Sequence, residues 1–533
     1  MTTQPQNAAP SARGIRALFS RMTARQRVLF LLLTALAGVY LMLVISMTRF
    51  FPPWWLFVPG ALLLGGSLLL FSARVGQAIR LIRHAERKKL SWRVFLIGML
   101  LCAAVMAMYH AAFWPGGLSA DSQNQWGQAQ SGVIDDWHPA LHTMLIWLLT
   151  RLVNHPAFVI AVQWALLSAM VGYLGARLEA WGLPRWFWAG SVIFLSLAPS
   201  VGNTMMFLWK DCAFALAMLW LCGHLLEIVF TRGEWLRKPA HVVLLALSAS
   251  LAAILRQNGL LAALPALALL PLLYRPVWKH ACMALLCACA LFALIRGPLY
   301  DTVDVQRRNP DETWLDTCSL PMVILGNVMA KNPDALPAEA YDYMASAAPQ
   351  EIWARHYALG DWYEMKGRVN AKAVLSVSLP TMLRYGWEGW RADPRTAFEA
   401  LGRMWTMGLQ PFGRAEWALS PFVEQGYPFG FERQGNPFLY RALSWLGRLS
   451  AAQPFALFGW SLGLLMLLMA LLLAIRFPYV GGKALTLTLP ALFYNVGTLL
   501  MITETHLFRY FLFNVLVFPL IIASLLAEVK EAP

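Results

Sequence analysis

The chain has 533 residues, of which 59% are hydrophobic and only 13% charged, with a mean hydropathy of +0.53. That composition excludes a string of soluble domains and points to a polytopic membrane protein. The formal net charge of +15 would suggest a nucleic-acid partner in a soluble chain; in a membrane chain it first suggests basic cytoplasmic loops.

Residues 1–27 carry Arg13, Arg16, Arg21, Arg25 and Arg27 and read as a basic cytoplasmic N-terminus whose opening stretch is disordered. The apolar run behind them has no small-x-small cleavage site before the next run, which predicts an uncleaved anchor rather than a signal peptide. A helix needs about 17 to 25 apolar residues to cross a hydrocarbon core of about 30 Å. Runs of that kind fall near 28–48, 54–72, 94–113, 157–176, 186–202, 212–230, 240–255, 259–274, 281–297, 455–475, 484–503 and 508–527, so the expected fold is all-α with about 12 transmembrane helices. A further apolar stretch, 140–153, is too short and ends in Asn154-His155-Pro156; it reads as an interfacial helix on the membrane surface.

Charge counting tests this phase, because Lys and Arg in short loops stay cytoplasmic. With both termini inside, 22 Lys and Arg fall in cytoplasmic segments, and the short outer segments hold only Arg49, Arg151, Lys210, Arg256, Arg296 and Arg509. Residues 28–93 then form two added spans and a basic cytoplasmic loop, 94–297 a transmembrane core with a first outer loop at 114–156, and 455–533 the closing spans. The segment 298–454 holds 15 basic and 17 acidic residues. Helical apolar spacing between Gly and Pro breaks, as at 394–407 and 437–449, predicts an inserted, mostly helical extracytoplasmic domain. The pattern fits a bacterial-type inner membrane protein with its active site on the periplasmic side.

Six of the seven cysteines lie in the spans and only Cys318 in the outer domain, which leaves no intramolecular disulfide there, and no paired spacing suggests zinc. The chain has no GxxxxGK[ST], GxGxxG or HExxH motif, so nothing in it points to an ATP-driven pump or to an enzyme built on a nucleotide-binding fold.

Polar residues concentrate in the first outer loop, which holds Asp121, Asp135, Asp136, His138 and, in the following helix, His142. Lowered dielectric just above a bilayer can raise a carboxylate towards a useful general base; helix capping by Ser119, Asp121 or Asp135 is the plainer role. Three further sites share that height: Lys210-Asp211, Arg256-Gln257-Asn258 and the 504–510 turn with Glu504, His506, Arg509 and Tyr510. Singly, such cations are snorkelling side chains. Together, Lys210, Arg256 and Arg509 facing a carboxylate loop suit an anionic phosphate.

An outer loop that opens on an acid, continues as a polar helix, breaks at Ser131-Gly132 and resumes as a Pro139-led interfacial helix resembles the GT-C superfamily of polyprenyl-phosphate-dependent glycosyltransferases, such as aminoarabinose and protein O-mannosyl transferases. The resemblance covers roughly 94–300 and the closing Arg509-Tyr510 span. It implies a GT-C-like fold with Asp121 as the first-loop acid, Asp211 as the second, and Arg256 and Arg509 as groups that hold the lipid phosphate. Many relatives carry a second acid directly after the first, where this chain has Ser122, and two leading spans are added; whether Asp121 or the Asp135-Asp136 pair is the catalytic base stays open.

The expected activity is transfer of a sugar from a polyprenyl-phosphate donor, held by Lys210, Arg256 and Arg509, to a hydroxyl of a lipid, glycan or protein acceptor, with Asp121 as base. No cofactor is required and no nucleic acid is involved. A divalent metal on His138 and His142, spaced i, i+4, is the one candidate metal site. Two alternatives are an O-antigen-ligase-like transferase with a lipid diphosphate donor, its key residues among Arg384, Arg391, Arg395 and Arg403, and a non-enzymatic lipid or glycan transporter. A transporter places ionisable residues at the bilayer midplane, where these spans carry few.

Overall fold

In the computed structural model of the chain, residues 88–357, 360–405, 419–452, 455–502 and 507–526 are described, together with isolated positions between 20 and 65. All but those isolated positions of the spans expected near 28–48 and 54–72 lie outside the described residues, as do Arg49, Glu504 and His506. The described residues are mostly helical, with three isolated bridges and no ladder of strands. They belong to an integral membrane protein: five helices, Trp92–Phe113, Pro156–Ala180, Lys210–Phe230, Arg275–Thr302 and Gly481–Met501, are long and apolar enough to cross a bilayer.

Of the other expected spans within the described residues, the one near 455–475 forms the 19-residue apolar helix Leu462–Val480, and the rest are shorter or broken. The run at 186–202 is divided by Pro199, which cannot donate a backbone hydrogen bond; it forms Arg185–Leu197 and Pro199–Met205. At about 1.5 Å per residue neither piece crosses a bilayer alone. Pro239–Ile254, Gln257–Leu273 and Phe508–Ser524 are apolar helices of 10–17 residues. The interfacial helix is present as Ala140–Thr150.

Small residues and capping set the packing. Ser91 accepts a hydrogen bond from Val94 N at 3.3 Å and starts Trp92–Phe113. Where that helix meets Pro156–Ala180, a Cβ on Gly172 would lie 2.5 Å from the Phe95 carbonyl oxygen, so the close approach requires glycine. Lys210–Phe230 runs through the middle of the bundle, with Phe214, Met218, Leu221 and Leu225 buried. At the end of the bundle away from Lys210, Arg177 Nε donates to Glu227 Oε1 at 2.7 Å.

The inserted segment, expected as one domain over 298–454, divides in two. Helices between Pro310 and Met404 enclose a core of their own, built on Met322, Leu325, Trp353, Trp362, Met382 and Leu401. The later part belongs to the membrane bundle: Leu443 and Ala451 join the bundle core, and Leu118 and residues 422–424 exchange backbone hydrogen bonds of 2.8 and 2.9 Å. Its helix, Pro437–Ala451, is capped by Asn436, whose side chain accepts from Phe438 and Leu439 N. Sequence spacing locates both helices but carries no sign of this division, because the contacts that decide it span more than 300 residues.

Candidate functional site

Backbone pairing between two loops builds the site. Gly117 N donates to Met206 O at 2.8 Å and Leu208 N donates to Gly117 O at 3.0 Å. A Cβ on Gly117 would sit 2.3 Å from the Phe207 ring, so only glycine allows the loops to lie this close. Trp209 Nε1 then donates to Ser119 Oγ at 2.8 Å. Ser119 is the N-cap residue of Ala120–Ser131 by backbone, although its side chain makes no capping bond, and Asp121 stands in the first turn. The starts of Ala120–Ser131 and Lys210–Phe230 are thereby brought side by side.

Asp121 is the centre of a charged cluster. Its Oδ2 lies 2.9 Å from Arg509 Nη1 and 3.4 Å from Lys210 Nζ, and its Oδ1 lies 3.7 Å from His138 Nε2. Lys210 Nζ is also 2.9 Å from His138 Nδ1; an ammonium can only donate, so this contact requires the tautomer with its hydrogen on Nε2. Asp211 is fully buried at the start of its helix, paired with Arg256 and 3.9 Å from Arg509 Nε. Arg256 is fixed further by the Tyr510 ring, 4.3 Å from its guanidinium, and by Asn258 Oδ1, which accepts from its Nε at 2.7 Å. Three cations thus face two carboxylates, and the surplus is positive.

The electrostatics follow from burial and these neighbours. Burial alone would raise the Asp121 carboxyl, but Lys210, Arg509 and His138 outweigh it and hold the group well below the usual carboxylate range. His138 is lowered to about 3, by burial first and then by Lys210. His142 is lowered to about 3 for the same two reasons, and its Nδ1 meets Gln125 Oε1 at 3.1 Å. Both histidines are therefore neutral near pH 7.

A cavity of about 780 Å³ opens above the cluster. Its floor carries Asp121, His138, Lys210, Arg256 and Arg509, and one wall is apolar, formed by Leu260, Leu261, Met501, Ile502 and Leu507. The inserted segment adds further lining residues, among them Arg308, Asp316 and Tyr363.

The sequence-predicted residues divide around this cavity. Asp211 lies behind its floor and supports Arg256 and Arg509. Asp135 is a turn residue: it accepts from Trp137 N at 2.9 Å and from Gln128 Nε2 at 2.9 Å. Asp136 accepts from Ala140 N at 3.4 Å and pairs with Arg296, and burial raises its carboxyl. Neither residue of that pair lines the cavity, whereas Asp121 does. Arg384 and Arg391 line a separate groove on the inserted domain, where Arg384 is paired with Glu339 and Glu388.

Among the described residues the histidine pair gathers no third ligand. His138 precedes the helix that holds His142, so the two do not share a helical face. The Lys210 ammonium occupies the His138 Nδ1 lone pair, and no group of three or more His, Cys, Asp or Glu side chains arranged for a metal exists among the described residues.

Sequence reasoning missed Arg308, Asp316, Asp361, Tyr363, Lys366 and Glu424, all of which line the cavity. Glu424 Oε2 accepts from Ala120 N at 2.6 Å across 304 residues, a contact that leaves no local pattern.

A family model described as a family of unknown function (DUF6020) matches residues 151–367. The match takes in Lys210, Asp211, Arg256 and the inserted-domain wall of the cavity as far as Lys366, and excludes Asp121 and Arg509. No functionally curated protein and no solved structure matches the chain.

Proposed function

We propose that this chain is a membrane glycosyltransferase of GT-C type, which moves a sugar from a polyprenyl-phosphate donor to an acceptor hydroxyl on the periplasmic face of a bacterial-type inner membrane. The observation that carries the reading is the shared Asp121 Oδ2, with Arg509 Nη1 at 2.9 Å and Lys210 Nζ at 3.4 Å, on the floor of a cavity whose adjoining wall is apolar. An amphipathic anion complements that surface: its phosphate suits the cations and its tail suits the apolar wall.

The reaction follows from charge balance. The donor phosphate draws Lys210 and Arg509 away from Asp121, and the carboxylate regains basicity as it loses its positive neighbours. Asp121 then takes the proton of the acceptor hydroxyl, whose oxygen forms a bond to the anomeric carbon as the bond from that carbon to the phosphate oxygen breaks. The lipid phosphate leaves with the electron pair and is stabilised by Lys210 and Arg509. Attack opposite the leaving group inverts the anomeric centre. Asp211 acts as a positioning residue through Arg256 and Arg509.

Binding of farnesyl phosphate to the detergent-solubilised full chain tests this reading. Wild type is expected to bind, and Lys210→Met with Arg509→Met to weaken binding at least tenfold. Equal affinity for farnesol, which lacks the phosphate, would overturn it.

A further inference from the structure

One carboxylate in the outer wall of the cavity orders two aromatic rings. Asp316 Oδ1 accepts from Lys366 Nζ at 2.6 Å, and its Oδ2 pairs with Arg308. Each of these cations lies against a ring: the Arg308 guanidinium is 4.0 Å from the Trp137 centroid, and Lys366 Nζ is 4.1 Å from the Tyr363 centroid. Arg308 Nη1 also donates to Gln257 Oε1 at 3.3 Å, and Gln257 Nε2 donates to Trp137 O at 3.1 Å. Trp137 comes from the first loop and Tyr363 from the inserted domain, so the arrangement ties two parts of the chain to one wall.

Both rings line the cavity and remain accessible, Trp137 at 38% and Tyr363 at 54%. Neither ring belongs to the inserted domain's core. The same cavity is lined by the hydrogen-bonding groups Gln257, Thr313, Asp361 and Glu364. Asp361 is itself oriented by Tyr363 N, which donates to its Oδ1 at 2.8 Å.

We infer that Trp137 and Tyr363 are stacking platforms of a carbohydrate subsite, with Asp361, Glu364 and Gln257 hydrogen-bonding the sugar hydroxyls. A pyranose or furanose has an apolar C–H face and a rim of hydroxyls; the rings match the first and the carboxylates and amide match the second. Cations fixed by Asp316 hold the rings in place before a ligand arrives, which reduces the ordering cost of binding. The inference rests on the lipid-phosphate reading of the floor and adds to it the part of the site that distinguishes one sugar from another.

Calorimetry on the detergent-solubilised full chain tests this with farnesyl phosphate, bare or carrying a hexose, an N-acetylhexosamine or a pentose. At least one sugar-bearing probe is expected to bind about tenfold more tightly than the bare phosphate. Trp137→Ala and Tyr363→Ala are expected to remove that gain without altering affinity for the bare probe, and Trp137→Phe and Tyr363→Phe to keep most of it. A second arm adds the same sugars as methyl glycosides alongside bare farnesyl phosphate; ring-dependent binding there assigns the subsite to the acceptor's sugar, and in the first arm to the donor's. Absence of ring-dependent gain in both arms, with bare farnesyl phosphate still bound, would overturn the subsite and leave the phosphate floor intact. Failure of bare farnesyl phosphate to bind would overturn the floor and the subsite together.

Discussion

Arg509 Nη1 stands 2.9 Å from Asp121 Oδ2, although the two residues are 388 positions apart in the chain. The first loop after Trp92–Phe113 is closed electrostatically by the start of the last described helix, so the site exists only once the whole bundle has assembled. Arg509 also reaches towards Asp211, with its Nε 3.9 Å from Oδ2. A guanidinium can serve two carboxylates and one phosphate from a fixed fork, and an ammonium cannot. Arg509→Lys is therefore expected to keep the chain folded but to weaken farnesyl phosphate binding about tenfold, read by calorimetry; unchanged affinity would remove Arg509 from the cradle.

The Asp211 and Arg256 pair tests the support behind the floor. Both are buried, at 1% and 5% exposure, and removing one partner from such a pair strands a charge at a cost of about 3–5 kcal/mol. Asp211→Asn and Arg256→Met are each expected to lower the thermal midpoint of the solubilised protein. The double variant Asp211→Leu with Arg256→Met is expected to be more stable than either single one, because it leaves no unpaired charge. Additive losses in the double variant would contradict the direct pairing.

Acid should loosen the site before it unfolds the bundle. His138 and His142 are lowered to about 3 by burial and Lys210, against about 6.5 in an unfolded chain. As pH falls, the unfolded state binds these protons first, so the stability they contribute is fully present above about 6.5 and declines between about 6.5 and 3. The expected slope is about 1.4 kcal/mol per pH unit for each histidine. Asp121, held below its ordinary range, adds a loss in the same direction below about pH 4. Denaturant melts across pH check this, and His138→Gln is expected to flatten the profile between pH 6.5 and 4.

Gly117 gives a test that touches no charge. Its backbone bonds to Met206 and Leu208 set the height of Asp121 against Lys210, and a side chain there would meet the Phe207 ring at 2.3 Å. Gly117→Val is expected to reduce farnesyl phosphate binding several-fold while helical content, read by circular dichroism, stays at the wild-type level. Wild-type affinity in that variant would show that the loop pairing does not position the cluster.

Hydropathy located most helices because apolar length is a local property, and it failed at 186–202, where Pro199 interrupts a run that is continuous in composition. Asp121, Lys210, Asp211, Arg256 and Arg509 could be picked out because each is an ionisable residue at the edge of an apolar run, which costs free energy to keep there. Asp135 and Asp136 carry the same signal yet serve a turn and an ion pair with Arg296, since capping and catalysis both favour acids at helix starts. The i, i+4 spacing of His138 and His142 does not put them on one helical face, because the helix begins at Ala140, after the first of them. The outer wall, with Trp137, Arg308, Asp316 and Tyr363, could not be read, because inserted-domain side chains meet first-loop residues far away in sequence.

On the function proposed above, Asp121 promotes sugar transfer from a polyprenyl phosphate. The most direct measurement is mass spectrometry of envelope lipids and glycans from cells that lack the protein, complemented with wild type or with Asp121→Asn. The null cells and the Asp121→Asn cells are expected to accumulate the same polyprenyl-phosphate sugar and to lose the same sugar mass from a glycan or lipid, with wild type restoring both and the variant protein present in the membrane at wild-type amount. Full restoration by Asp121→Asn would contradict it.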